Sequence, residues 1–359
     1  MHDPTEGGIR AGLHEIALAS RVRLDVDLDR IPAQPPTAGI CRHYGIDQRG
    51  GLATTRRALA VDNSVFSLSK PLASRLPRSG SMIIDGNGCA SGDDRLRLAV
   101  ALAHQGGRQA VAARGTARVG WKAPGDRVTD VDVAIQVRLV DRIRTCFPGD
   151  GIVAEEGAAA DPGEREFVWA IDPLDGTNNF ALGIPCFAVS IGILRHGLPH
   201  AGVVHDPNTG FTTWAARGQG AVAGGQTIVL AEQPLTEASN VAVRVPVDPD
   251  LAAAVTGWLR RYKLRGFGSV ALHLAYAAIG ALDVVQDHKA TLWDVAAGAA
   301  ILLEAGGRIT DPRGRPLFPP AASAYRGAPM PLLAGNPTAH AQALADCRPV
   351  PDASPAEAP

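Results

Sequence analysis

Aromatic side chains are scarce, 5% of 359 residues, so Ala and Val must fill much of any core. The five cysteines, Cys41, Cys89, Cys146, Cys186 and Cys347, are odd in number and nowhere form a C-x-x-C pair. That pattern suggests neither a disulfide framework nor a zinc knuckle, and makes a reducing, cytoplasmic setting the default. No apolar run reaches about 18 residues, and the first residues lack the charged-then-apolar order of a signal peptide, so no membrane anchor is expected. Charge excess is also missing: 35 Lys and Arg against 36 Asp and Glu leave a net charge of -1. This balance argues against a nucleic acid polymer as partner and against a solvating acidic tail. No internal repeat is visible.

What the chain does have is hydrophobic content of 46% with 20% charged residues, as expected of a globular protein, and 40 Gly with 27 Pro, which predict many turns. At about 150 residues per domain the length allows two or three domains. Residues 1–60 read as a short α/β piece, with helical composition over Leu13 to Ala19 and strand-like alternation over Arg21 to Asp27. A Ser-, Pro- and Gly-rich stretch over 61–91 reads as a linker. From Asp94 a long helix is expected, interrupted or ended near Gly106 and Gly107. A second helix is capped by Thr129, has Asp132 in the capping-box position, presents Val133, Val137, Val140 and Phe147 at helical spacing, and ends at Pro148-Gly149. Strand-like runs follow at 151–154, 166–171, 187–194, 201–205 and 211–215, an antiparallel meander. Beyond about Gly225 strands and helices alternate: strand 240–245, helices 251–262 and 269–279, strand 282–286, helix 293–304, strand 331–335 and a last helix through Asp346. The segment 346–359 is expected to be disordered. This divides the chain into an α+β half over 92–225 and an α/β half over 226–345.

The most informative segment runs from Trp169 to Phe180, W-A-I-D-P-L-D-G-T-N-N-F. An apolar strand delivers Asp172, Pro173 is expected to stop it, and Asp175, Gly176 and Thr177 follow at the opening of a helix. Carboxylates three residues apart on such a turn can face one point. Hard divalent cations such as Mg²⁺ want several oxygen ligands and bridge to substrate phosphate. Asp-Pro and Asp-Gly alone also mark ordinary turns. Three other segments weigh against that plain reading. Glu155-Glu156 follows the strand ending at Ala154, Asp126 to Asp132 (D-R-V-T-D-V-D) places an acid and a hydroxyl at a helix start, and Trp293-Asp294 opens an Ala-rich helix. Each of the last two is also an ordinary capping pattern by itself. Together, four or five carboxylates with no Lys or Arg partner would repel one another unless cations were present.

These segments resemble the inositol monophosphatase family of metal-dependent, lithium-sensitive phosphatases. The resemblance covers residues from about 92 to 345 and rests on D-x-V-T-x-x-D at Asp126 to Asp132, the acidic pair Glu155-Glu156, D-P-x-D-G-T at Asp172 to Thr177, and Trp293-Asp294 followed by E-A-G-G at Glu304 to Gly307. It implies a layered αβαβα sandwich that hydrolyses the phosphate ester of a small metabolite, uses two or three Mg²⁺ ions and forms a homodimer. By matching position, Glu155, Asp172 and the carbonyl of Leu174 hold one ion, and Asp172, Asp175 and Asp294 a second. Asp132 and Thr177 activate the attacking water, assisted at Glu155. The N–H groups of Gly176 and Thr177 receive the phosphate, and Asp287 binds substrate hydroxyls. Inositol monophosphate is the first expectation for the substrate; fructose 1,6-bisphosphate, 3′-phosphoadenosine 5′-phosphate and histidinol phosphate are the alternatives the shared signature allows. A non-catalytic binding or regulatory protein that keeps the fold is an alternative of another class. Selectivity is expected in the loops 244–247, 267–270 and 286–291.

Ala154 stands where the family often has Gly, and Gln136 where an acid is common. Lys122 matches a mobile-loop lysine of the family, and as a residue type reads as a solvated surface lysine. The spacing of Asp172 and Asp175 does not fit the D-x-D of haloacid-dehalogenase-like phosphatases. Residues 1–60, with Met1 to Gly8, Gly12 to Glu15, Asp29 to Pro32 and Gly39 to Cys41, resemble a fragment of the C-terminal domain of the aminoimidazole-ribotide-synthetase and hydrogenase-maturation superfamily. No catalysis is expected there.

Overall fold

The computed structural model describes residues 92–123, 126–156, 165–318, 325 and 327–347. The expectations for residues 1–60, for the linker 61–91 and for the tail from 348 lie outside the described residues.

The chain builds α1 (Gly92–Ala112), β1 (Val119–Ala123), β2 (Asp126–Thr129), α2 (Asp130–Cys146), β3 (Gly151–Ala154), β4 (Phe167–Asp175), α3 (Thr177–Ala181), β5 (Ala188–Arg195), β6 (Leu198–His205), β7 (Thr212–Ala216), β8 (Gly220–Ala223) and β9 (Gln226–Ile228). It continues with β10 (Asn240–Val243), α4 (Ala252–Arg261), β11 (Lys263–Arg265), α5 (Val270–Ala278), β12 (Val284–Asp287), α6 (Leu292–Glu304), β13 (Arg308–Thr310), β14 (Leu332–Gly335) and α7 (Pro337–Asp346). Strands β3 to β9 form a seven-stranded sheet in sequence order, antiparallel except for the parallel β3–β4 pair. A five-stranded sheet has the order β11-β10-β12-β14-β13, with β10 parallel to β11 and β12 and the other pairs antiparallel.

Side-chain alternation explains the layering. Along β4 and β5, Trp169, Ile171, Val189, Ile191 and Ile193 face α1 and α2 (Leu98, Leu102, Ile135, Leu139), while Ala188 faces α5 and α6. In the smaller sheet Ala242 and Val285 join that same central helical layer, and Val241 and Val284 pack against Val255 and Trp258 of α4 and Ala339 of α7. The order of layers is therefore α1/α2, large sheet, α5/α6, small sheet, α4/α7. This is the αβαβα sandwich.

Several local expectations are corrected. Helix α1 runs through Gly106 and Gly107 without a break. A Cβ at Gly106 would lie 3.1 Å from Ile135, and one at Gly107 2.6 Å from the His205 ring, so the two glycines permit close packing instead of ending the helix. In α2 the buried stripe is Val131, Ile135, Leu139 and Ile143, whereas Val133 and Val137 are exposed. Both sets recur every four residues, and contact with the sheet decides between them. Pro173 does not stop β4. Asp172 pairs with Ser190 and Asp175 with Ala188, so one extra residue is accommodated as a bulge, where a proline lacking its N–H is tolerated. The short strands β1, β2, β8, β9, β11 and β13 have no counterpart among the strands the sequence predicts.

Candidate active site

The bulge at the end of β4 places Asp172 and Asp175, both buried, at the C-terminal end of an interior strand of the large sheet. Helix α6 brings Asp294 to them. Among the described residues one carboxylate atom from each of Asp172, Asp175 and Asp294 lies within 4.8 Å of the others.

Asp172, Asp294 and Asp132 each have one oxygen tied to local backbone, and Asp175 has one tied to the start of α5. Asp172 Oδ1 accepts from the N–H of Leu174 at 2.8 Å. Asp294 is the third residue of α6, and its Oδ2 accepts from the N–H of the cap Thr291 at 2.8 Å. Asp294 is thus a capping-box partner and not the cap itself. Asp132 does the same in α2, its Oδ2 accepting from the N–H of Thr129 at 2.9 Å and from the Thr129 hydroxyl. Asp175 Oδ2 accepts from the Ser269 hydroxyl and the N–H of Ala271, each at 2.6 Å, at the start of α5. The second oxygen of each acid is left to other partners.

For Asp132 that partner is the Thr177 hydroxyl, which donates to Asp132 Oδ1 at 2.9 Å and also lies 3.0 Å from the carbonyl of Leu174. Thr177 opens α3, preceded by Gly176 at φ 99°, a conformation in which a side chain is strained; a Cβ there would also meet the Cys186 carbonyl at 2.9 Å.

The electrostatics are those of crowded buried acids. Burial, then the charges of Glu155, Asp175 and Asp294, push the Asp172 carboxyl well above the usual range. Burial likewise raises Asp294, with Asp175 and Glu155 adding to it. Asp175 is pushed up to about 7, mainly by burial and against the hydrogen bonds from Ser269 and Ala271. Burial raises Asp132 too, its hydrogen bonds with Thr129 and Thr177 opposing. A cluster of hard oxygen donors that resists ionisation when bare fits a divalent cation, whose charge would reverse that resistance.

The expectation that no basic residue answers these acids is corrected at one edge. Lys122, carried by the β1–β2 hairpin, places its Nζ 2.7 Å from Glu155 and 2.5 Å from Glu156. Desolvation works against its charge, but the two glutamates prevail and its pKa is raised. Lys122 is therefore an ion-paired residue that remains at the surface. Burial raises Glu156 to about 7 despite this pair. Gln136 grips the main chain at the same place, its Oε1 accepting from the N–H of Glu156 at 2.7 Å and its Nε2 donating to the Glu156 carbonyl. Neither partnership could be read from the motifs, nor could those of Ser269 and Ala271. The one local signal was Gly268-Ser269 before an apolar helix, a capping pattern.

Asp287 ends β12 and is buried. Its Oδ1 accepts from the N–H groups of Lys289 and Ala290, each at 2.8 Å, and its Oδ2 lies 3.4 Å from Arg244 Nη1.

A five-layered sandwich with a buried acid cluster at the ends of its strands and helices is a phosphatase fold. The profile of the inositol monophosphatase family matches residues 95–348, and the chain belongs to that family. A fructose-1,6-bisphosphatase/inositol-1-monophosphatase of Thermotoga maritima is 37% identical over 198 residues, covering 55% of this chain and 75% of the relative. The Nus factor SuhB of Escherichia coli is 33% identical over 233 residues, covering 63% and 84%. Among solved structures, the extragenic suppressor protein SuhB of Bartonella henselae matches with a TM-score of 0.64 at 28% identity, covering 71% of this chain and 98% of that one. The Thermotoga maritima inositol monophosphatase matches with a TM-score of 0.63 at 30% identity, covering 71% and 96%. No helix among the described residues is long and apolar enough to cross a membrane.

Proposed function

We propose that this chain is a Mg²⁺-dependent phosphate monoester hydrolase of the inositol monophosphatase type, acting on a small phosphorylated metabolite without a covalent intermediate. The observation that carries this reading is the convergence of Asp172, Asp175 and Asp294 beside the Thr177–Asp132 hydrogen bond. Asp172, Asp175 and Asp294, with Glu155 and the Leu174 carbonyl, are the residues that would hold Mg²⁺, which supplies Lewis acidity toward the phosphate and its leaving oxygen. Two ions match the number of acids.

The chain's own contribution is positional. Asp132 accepts the Thr177 hydrogen, so a lone pair of Thr177 Oγ1 is available to take a hydrogen bond from an incoming water. Asp132 is buried and raised in pKa, which suits it to receive a proton through Thr177. Glu155 assists from the other side once Lys122 releases it. The N–H groups of Gly176 and Thr177 receive the phosphate oxygens. The catalytic unit lies within 92–345, and residues 1–60 take no part.

Phosphate release from inositol 1-monophosphate, fructose 1,6-bisphosphate, 3′-phosphoadenosine 5′-phosphate and histidinol phosphate, with Mg²⁺, with chelator and with added Li⁺, tests this reading. Turnover by at least one substrate that needs Mg²⁺ and falls with Li⁺ is expected. Absence of turnover across the panel would favour a binding protein that keeps the fold, and Mg²⁺-independent turnover would favour a different chemistry.

A further inference from the structure

The geometry points to Arg244 as the residue that makes this site select a phosphate ester carrying a second anionic group over a neutral polyol phosphate. This assignment rests on the phosphatase reading.

Strands β10 and β12 are parallel neighbours with Val243 opposite Gln286, and the N–H of Arg244 donates to the Gln286 carbonyl at 3.1 Å. Arg244 and Asp287 therefore leave the carboxyl ends of adjacent parallel strands side by side. Ligands of open parallel sheets lie at that end. The connection that follows, 288–291, leads into α6 and Asp294, so the Arg244–Asp287 pair is joined to the element that carries one acid of the cluster. Asp287 is near enough to Asp175 for its charge to be felt there.

Two facts set the chemistry. First, Asp287 is engaged within the chain: one oxygen takes two backbone N–H groups and the other faces the guanidinium. With Oδ1 taken by two backbone N–H groups, Asp287 has only Oδ2, already facing a cation, to offer a substrate hydroxyl. Second, Arg244 is not fully used. Its contact to Asp287 is a long 3.4 Å, its side chain is 38% exposed, and its buried Nε makes no hydrogen bond among the described residues. Of five donors in a planar fork, most are available to a ligand. Such a fork matches phosphate or carboxylate, whose two oxygens it can take at once. Lys289, exposed and two residues beyond Asp287, adds positive charge to the same rim. A neutral hydroxyl gains little from these groups.

The test compares kcat/KM with Mg²⁺ for fructose 1,6-bisphosphate, 3-phosphoglycerate and inositol 1-monophosphate. These probes offer a second phosphate, a carboxylate and no second charge. The expected order has one or both doubly anionic esters ahead of inositol 1-monophosphate. Arg244→Gln should cut that preference by about 10- to 100-fold, mainly through KM, the value of one charge-assisted bidentate contact, with Arg244→Lys in between. Which doubly anionic probe responds tells phosphate from carboxylate. In an Asp132→Asn background, calorimetric binding of the preferred doubly anionic ester should weaken at least tenfold on adding Arg244→Gln, and unchanged melting temperatures exclude a folding defect. A wild-type preference for inositol 1-monophosphate that Arg244→Gln leaves in place overturns the assignment while the phosphatase reading stands. If none of the three is turned over, binding of each to Asp132→Asn with and without Arg244→Gln decides: equal binding of the doubly anionic esters by the two proteins overturns the role of Arg244, and weaker binding by the double variant supports it.

Discussion

Replacing Gly202 by Ala should damage both stability and metal binding, for one geometric reason. Gly192 of β5 and Gly202 of β6 are cross-strand partners on the face covered by α6. A Cβ at 202 would sit 2.6 Å from both Cα and the carbonyl oxygen of Ala297, and one at 192 would sit 2.5 Å from the Cβ of Ala296. Ordinary carbon contacts begin near 3.5 Å, so α6 must retreat by roughly 1 Å. The obstruction is backbone, which cannot rotate away. Overpacking of this kind costs about 3 kcal/mol, and in a unit of this size that lowers the melting temperature by roughly 6–12 °C. Asp294 lies in the first turn of the same helix, two residues before Ala296. A 1 Å misplacement at a reacting centre costs on the order of 100-fold in rate. Thermal denaturation and Mg²⁺-dependent phosphate release on Gly202→Ala, beside Gly149→Ala as a control at a site where a Cβ meets nothing within 4 Å, measure both effects. A Gly202→Ala protein that melts within about 2 °C of wild type and keeps its activity would refute the docking argument.

Lys122→Met should destabilise the metal-free protein by about 1–2 kcal/mol, because Glu155 and Glu156 lose a partly buried partner, and should raise the affinity for Mg²⁺ several-fold by removing a competing cation. Melting curves in chelator and in saturating Mg²⁺ check this; an unchanged metal-induced shift would contradict it. The stabilisation given by Mg²⁺ should also grow with pH through about 7. Asp175 and Glu156 are held near that value in the bare protein by burial. Below it the metal must displace their protons, and above it the acids are already ionised. A Mg²⁺-induced shift in melting temperature that is flat between pH 5 and 8 would sink this linkage.

What could be read in advance was whatever is encoded locally. The D-P-x-D-G-T run, the capping box at Thr129 and the apolar runs of β4 and β5 depend on neighbours within a few residues, and they located the acids and most of the ladder. What escaped depends on tertiary contact. Val133 and Val137 carry the same spacing as the stripe that is buried. Gly106-Gly107 looks like a helix end until Ile135 and His205 are seen against it. The Lys122 clamp on Glu155 and Glu156 joins residues 33 or more positions apart, and Arg244 meets Asp287 only because β10 and β12 are in register. Such pairings have no local signature. Short strands of three or four residues at sheet edges have little periodicity to detect.

Calorimetric titration of Mg²⁺ into the wild type and into Asp172→Asn, the acid on which the charges of Glu155, Asp175 and Asp294 all act, tests the central claim most directly. The account predicts saturable Mg²⁺ binding to the wild type that is weakened at least tenfold, together with phosphate release, in the variant. Equal Mg²⁺ binding by the two proteins, or none by the wild type, would contradict it.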